Sequence, residues 1–403
     1  MRAGNYYAAA RGEGESELRS NDVVVESGLM FPAKEDAARA GSADDGRIDE
    51  CNAPLSIIMP CYNVERYLDA VIESLRAQPF GNWELIAVDD ASTDGTAEVL
   101  ERAAQQDARV KPMHHDRNRG AAAARNTGLA HARGEYIWFL DPDDDFEPAL
   151  LPEALGALEE SGADVAVFGC REETYDAAGA LRSARDVLPL ASGVLAGDEL
   201  HRFMLELEES TLYGYAWNKV YRREVIGPAR FPDVMLAEDL LFNVEVFDRV
   251  ARAVFIQQPL YHYKKRLRAN LTNRFDKNYY SEHRMRIEAL YNQQVRWGLD
   301  SAETRSRLGS LYGRYIISAL ERNCDKRAEM FHADRAAWCR ALADDPLFTT
   351  LVQGAHSRGG VALEACLALI KTGHPAPMLV LGRLVHVVRS RLGSLYAKLK
   401  RQR

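Results

Sequence analysis

No run in this 403-residue chain reaches the ~18 consecutive apolar residues that a membrane-spanning helix requires. No charged start followed by an apolar stretch opens it, so no secretory signal is read and retention in the cytoplasm is expected. A basic excess is also missing. The net charge is −8, whereas nucleic-acid-binding proteins usually carry a basic footprint, so nucleic acid is not an expected partner. Cysteine is sparse: six residues (Cys51, Cys61, Cys170, Cys324, Cys339, Cys366) show neither metal-site nor redox spacing and read as reduced, mostly buried thiols. What remains is an ordinary globular composition, with 47% hydrophobic and 27% charged residues. The length predicts about two to three domains.

The organising stretch is Tyr136–Phe146, YIWFLDPDDDF. Its apolar start reads as a buried strand. Asp141, Asp143, Asp144 and Asp145 follow at once. Crowded acids repel unless a divalent cation, a cationic partner or water neutralises them, and Mg²⁺ or Mn²⁺ would take such oxygens. An acidic turn opening a helix is the plain alternative.

Further strands end in polar groups upstream. LSIIMP (Leu55–Pro60) leads to Tyr62, and WELIAVDD (Trp83–Asp90) ends in two acids. Between them Tyr67, Leu68, Val71, Ile72 and Leu75 recur at helical spacing. Thr93 or Asp94 is the expected cap of a second helix, and Gly134 the expected stop of an Ala-rich one at 120–132. Strands alternating with helices predict an α/β fold with a mainly parallel sheet and crossover helices, whose ligands sit beyond the carboxyl ends of the strands. Tyr62, Asp90 and Asp143 all lie there.

Residues 1–53 are poor in apolar clusters and read as a disordered leader. Residues 171–195 read as an irregular insertion, Val254–Tyr263 as a strand broken by Pro259, and residues 276–375 as a helical region. In 376–403, Leu381, Leu384, Val385, Val388, Leu392, Leu395 and Leu399 form one stripe. Seven Lys/Arg and no acid lie from Met378 to the end, which suits an amphipathic helix on an anionic membrane surface. A helix docked on the domain with solvated cations is the competing reading.

Five segments, in order and spacing, resemble the family 2 glycosyltransferases of bacterial surface polysaccharide synthesis. They are SIIMPCYNVERYL (Ser56–Leu68), LIAVDDASTDGT (Leu85–Thr96), AAARNTGLAHARGEYIWFLDPDDD (Ala122–Asp145), WNKVYRREVI (Trp217–Ile226) and AEDLLF (Ala237–Phe242). The resemblance implies a GT-A fold over residues 54–275, Rossmann-like with flanking helices, and an inverting, metal-dependent transfer from a UDP-sugar to a glycan or lipid-linked hydroxyl. It implies that Asp90 accepts from uracil, that Pro60 and Tyr62 pack by the base, and that Arg125 lies near the diphosphate. Asp141 would face ribose or metal, Asp143 would ligate Mn²⁺ or Mg²⁺, and Asp239 would be the catalytic base with Glu238 orienting it or meeting acceptor. The family's usual aromatic after the double acid is replaced here by Asp145, which leaves Asp144 open as the main ligand. For Trp217 and Lys219 an acceptor-site floor and a packing role both stand, and Arg266 and Arg268 would reach the diphosphate or be solvated.

Gln293–Trp297 fits the Q-x-x-R-W pattern of processive synthases, but on an expected surface helix it reads as chance. Two other functions compete with the transferase. A sugar-1-phosphate nucleotidyltransferase would need a glycine-rich loop that PCYNVERY lacks, and a non-catalytic subunit would have lost acids that are present. The cytoplasmic protein could then sit peripherally on the inner membrane face.

Overall fold

The computed structural model describes residues 54–266, 275–357 and 360–391. The expected leader, Arg268, and Leu392, Leu395 and Leu399 of the C-terminal stripe lie outside them.

The first part alternates strictly: β1 (Leu55–Cys61), α1 (Glu65–Arg76), β2 (Trp83–Asp89), α2 (Thr96–Gln106), β3 (Val110–His114), α3 (Ala121–His131) and β4 (Tyr136–Phe139). β1 pairs in parallel with β2 and β4, and β2 with β3. LSIIMPC, WELIAVD and YIWF are apolar because helices cover both faces of a parallel sheet. α1 buries Leu68, Val71, Ile72 and Leu75 against it, as their spacing predicts.

Two details differ from expectation. α2 begins at Thr96, one residue later than an Asp94 cap and two later than a Thr93 cap would start it. Asp94 Oδ1 still accepts from the Thr96 amide at 3.1 Å. α3 ends at His131, before Gly134. Gly134 is there for close approach instead, because a Cβ would lie 2.6 Å from the Ser56 nitrogen on β1.

The second part holds β5 (Asp145–Phe146), α4 (Leu150–Ser161), β6 (Val165–Tyr175), β7 (Leu181–Val187), β8 (Gly193–Ala196), α5 (Gly197–Glu209), β9 (Lys219–Arg222), α6 (Arg223–Ile226), α7 (Glu238–Phe247) and β10 (Arg252–Arg266). The sheet runs β3-β2-β1-β4-β9-β6-β10-β5, with β7 on β6 and β8 on β10. β9 is antiparallel to both β4 and β6. The two reversals restore the direction, so β10, parallel to β6, brings its carboxyl end to the same edge as β4. The expected irregular insertion at 171–195 is instead the end of β6 plus β7 and β8. β7 is solvated along most of its length, which erases the apolar alternation that marks a strand. β10 passes through Pro259 by a register shift, the place where a sheet tolerates proline.

The remaining helices are α8 (Tyr279–Arg296), α9 (Ala302–Arg322), α10 (His332–Ala343), α11 (Pro346–Leu351), α12 (Val361–Lys371) and α13 (Pro375–Arg391). α13 docks by burying Met378 and Leu381, with Val385 packed on the core. His386 and Arg389 both pair with the buried Glu321 of α9. The expected single stripe is therefore divided: Leu381 and Val385 face inward, while Leu384 is exposed with Val380 and Val387. No described helix is long and apolar enough to cross a membrane. Of the described cysteines, all are free thiols; Cys61, Cys170 and Cys339 are buried and Cys324 and Cys366 partly so.

Candidate active site

The crevice opens where β1, β2, β4 and β10 end. At the first end Tyr62 is 47% exposed. Asn63 and Ala91, beyond β1 and β2, both hold left-handed backbone, with φ of 53° and 58°. Such strain gathers where a turn must serve a site. Asn63 ties the two turns together: its Oδ1 accepts from the Thr93 amide at 2.8 Å, and its amide donates to Ser92 Oγ at 3.0 Å.

Asp90 lies at this edge, but its oxygens are already engaged. They accept from the Arg119 amide at 2.9 and 3.0 Å and from the Gly120 amide at 2.7 Å, and His115 Nδ1 sits 2.6 Å away. A carboxylate has about four acceptor positions, so Asp90 spends them on fixing the 115–120 loop. A uracil N–H would reach it only by displacing one of these partners. The loop it fixes holds Arg117 and Arg119 outward over a cavity of about 730 Å³, walled also by Asn126, Thr127 and Phe231. This cavity lies beside the aspartate cluster rather than over it.

The four aspartates after β4 have four different surroundings. Asp141 accepts from Arg125 Nη2 at 3.0 Å. Asp143 pairs with Arg266 Nη1 at 2.6 Å and keeps 37% of its side chain exposed. Burial, and then the charge of Asp141, push Asp143 above the usual carboxylate range. Asp144 is buried and accepts from the Tyr261 hydroxyl at 3.0 Å and the Lys264 amide at 2.8 Å. It anchors the turn to β10 and is buried, whereas Asp143 keeps a side open to solvent. Asp145 pairs with Lys264 at the surface.

Among the described residues no group of three or more His, Cys, Asp or Glu converges on a metal position. Asp141 and Asp143 nevertheless suit a hard cation. They are part-exposed carboxylates that repel, and Mn²⁺ or Mg²⁺ held by one or two carboxylates completes its shell with phosphate oxygens and water. Arg266 currently supplies the countercharge, its guanidinium lying over the Tyr67 ring at 4.8 Å.

Arg125 joins the two ends of the site. It is buried beneath the cluster, where Nη1 donates to Asp239 Oδ1 at 2.9 Å, Nη2 reaches Asp141, and Glu238 stands at 3.7 Å. Asp239 Oδ2 accepts from the Ala216 amide at 3.2 Å. Burial raises the pKa of both α7 acids. Glu238 is pushed up to about 8, with Asp239 adding to the effect, and Arg125 pulls against the rise in each. The expected pair at the start of α7 is therefore a high-pKa couple held by one buried cation, more than a dipole partner of the helix.

Trp217 and Lys219 are not an acceptor-site floor. Trp217 is stacked between Tyr215 and Tyr261, with centroids 4.5 and 4.4 Å away, and its carbonyl accepts from Trp138 Nε1. Lys219 is fully buried at the start of β9. Its Nζ donates to the carbonyls of Leu212 (2.7 Å), Tyr213 (3.1 Å) and Tyr215 (2.5 Å) and to Asn218 Oδ1 (2.8 Å). Burial drives its pKa well below the usual lysine value, against the pull of Asp239 and Glu208. Asn243 on α7 donates to the same turn. Both motif residues thus shape the turn that offers the Ala216 amide to Asp239.

Gln293 and Gln294 are buried rather than on a surface face, and Trp297 stacks flat on His201 at 4.2 Å. The pentapeptide is structural. Sequence reasoning missed His115, Tyr261 and Glu282, because each acts through a partner distant in the chain.

Comparison with known proteins agrees with this geometry. The family model described as "Glycosyl transferase family 2" matches residues 56–227. The chain is 32% identical over 217 residues to the "Uncharacterized glycosyltransferase EpsJ" of Bacillus subtilis (strain 168), covering 52% of this chain and 61% of that protein. It is 31% identical over 186 residues to the "Putative teichuronic acid biosynthesis glycosyltransferase TuaG" of the same strain, covering 46% and 69%. The chain thus spans less than two thirds of EpsJ. Residues 1–349 of S. aureus TarS, solved with UDP-GlcNAc, superpose with a TM-score of 0.58 at 20% identity, over 84% of this chain and 91% of that one. At that identity the likeness is one of fold, and the fold is GT-A.

Proposed function

Given that the chain belongs to glycosyltransferase family 2, we propose that it moves a sugar from a UDP-sugar to a hydroxyl of a glycan or lipid-linked acceptor in cell-envelope polysaccharide synthesis. The observation that carries this reading is Arg125. One buried guanidinium bonds both Asp141, at the donor end, and Asp239, at the acceptor end, joining them in a single site that shares one cation.

In this mechanism Asp239 takes the acceptor hydroxyl proton. Each of its oxygens has one hydrogen-bond partner and room for that proton. The freed oxygen attacks the anomeric carbon from the face opposite the diphosphate. A new C–O bond forms, the bond to the phosphate oxygen breaks with its electron pair leaving on UDP, and configuration inverts. Asp143 and Asp141 would hold Mn²⁺ or Mg²⁺, which when bound neutralises charge on the diphosphate. Arg266, released from Asp143, stands ready to meet a phosphate oxygen. Burial and then the charge of Asp141 raise the pKa of Asp239 against the pull of Arg125, and Asp239 in turn adds to the rise in Glu238. Tyr62 and Pro60 border the base, and Asp90 serves the nucleotide by fixing the 115–120 loop. The neighbour solved with UDP-GlcNAc supports a uridine nucleotide as donor carrier.

We place the enzyme at the inner membrane face, where α13 would turn its exposed Val380, Leu384 and Val387, with Arg383, toward an anionic surface. The proposed function is tested by screening nucleotide-sugars for Mn²⁺-dependent UDP release. One UDP-sugar should be turned over by wild type and not by Asp143→Ala; release that is indifferent to metal and to Asp143 would refute it.

A further inference from the structure

α8 lies beyond the family-matched stretch, yet it grips the helix that carries the catalytic pair. Near its start Glu282 is buried, and its Oε2 accepts from the backbone amides of Met235 at 3.0 Å and Leu236 at 2.6 Å. Those amides belong to the segment that runs directly into Glu238 and Asp239. One turn along the same face, Arg286 Nη2 donates to Glu208 Oε1 at 2.6 Å. It also abuts the 212–216 turn, where a Cβ on Gly214 would lie 2.9 Å from it. Farther along, Gln293 accepts from the Tyr213 hydroxyl at 2.9 Å and donates to the Val244 carbonyl of α7 at 2.9 Å. One stripe of α8 therefore holds the approach to α7, the turn beside it and the helix body.

We propose that α8 is a brace for the catalytic base and that Glu282 is its positioning residue. The proposal rests on Asp239 being that base. Physical need for a brace is plain in the site. Glu238, Asp239 and Asp141 repel one another around a single guanidinium, and the first residue boundary of α7, Ala237, supplies no side-chain cap. A carboxylate accepting two amides from outside fixes what the local sequence leaves loose. A misplacement of about 1 Å at a reacting group can cost about 10²-fold in rate.

The test uses the full chain as wild type, Glu282→Ala and Glu282→Gln. Hydrogen exchange is read at residues 231–240 and at 55–89, UDP affinity with Mn²⁺ by calorimetry, and UDP release with the donor that wild type uses. In Glu282→Ala, exchange at 231–240 should rise about tenfold or more while the sheet stays protected. The turnover number should fall about tenfold or more, with UDP affinity and donor KM within about twofold of wild type. Glu282→Gln should restore most of both, since its amide oxygen still accepts both N–H groups. Unchanged exchange at 231–240 overturns the brace. So does a loosened segment with full turnover, or exchange raised uniformly across the chain in both variants. If wild type turns over no donor, the exchange data still decide whether Glu282 holds the segment, and the reading of Asp239 falls separately.

Discussion

Replacing Arg125 by methionine removes the cation shared by the two halves of the site while keeping side-chain bulk. The guanidinium is buried, with only 7% of the side chain exposed, and its loss strands Asp141, Asp239 and Glu238 without their countercharge. Breaking a buried ion pair from one side costs about 3–5 kcal/mol. The sign of the pH effect follows from the carboxylates. Burial already raises Asp239 and Glu238, and Arg125 opposes the rise in both. Without it their folded-state pKa values climb further, so the anionic forms are disfavoured at high pH. The variant's stability deficit should be about 3 kcal/mol near pH 8 and smaller near pH 5, because Glu238, whose pKa is pushed up to about 8, takes up its proton between the two and no longer needs the countercharge. Wild-type turnover should climb with pH through an apparent pKa of the coupled pair, well above the ordinary carboxylate range. In Arg125→Met that limb should move up by about 1 unit or more, each unit being about 1.4 kcal/mol. Urea denaturation at both pH values and a pH–rate profile check this. A limb that stays in place, or a deficit equal at both pH values, would refute the charge-sharing argument.

Other perturbations have separate readouts. Tyr261→Phe takes a donor from buried Asp144, and stability in urea should drop by about 1–3 kcal/mol. Gly309→Ala would place a Cβ 2.0 Å from the Leu351 carbonyl oxygen, so α9 must shift from α11, at about 1–3 kcal/mol by thermal denaturation. Gly156→Ala, in open space on α4, should stabilise by about 0.5–1 kcal/mol in the same assay. Leu384→Glu on the exposed side of α13 should weaken co-sedimentation with anionic vesicles without changing UDP affinity, whereas equal sedimentation would remove membrane contact from the account.

Much of the first part of the sheet was legible in the amino-acid sequence, because β1, β2 and β4 are continuous apolar runs ending in conspicuous polar groups. The fates of the four aspartates were not. Only β10 folding back distinguishes Asp144, bonded to Tyr261, from Asp143, open to solvent and Arg266. Lys219 is a charged residue in the core, which no hydropathy pattern announces; its carbonyl partners come from a turn of no regular period. β7 was hidden for the opposite reason, a strand solvated along most of its length. Glu282 reads as a helical surface acid until the chain brings Met235 and Leu236 to it. The exposed Leu384 shows that a stripe read from spacing can be divided by docking, since a helix can bury one apolar row and leave another outside.

The most direct measurement compares Asp239→Asn with wild type in UDP binding and in sugar transfer. The substitution keeps the shape and, with its one oxygen, the Ala216 hydrogen bond, but gives up the bond from Arg125 and removes the proton acceptor. UDP affinity with Mn²⁺ should stay near wild type, and transfer should fall by about 10²–10⁴-fold, the usual worth of a general base. Transfer at the wild-type rate with asparagine in place would contradict the account.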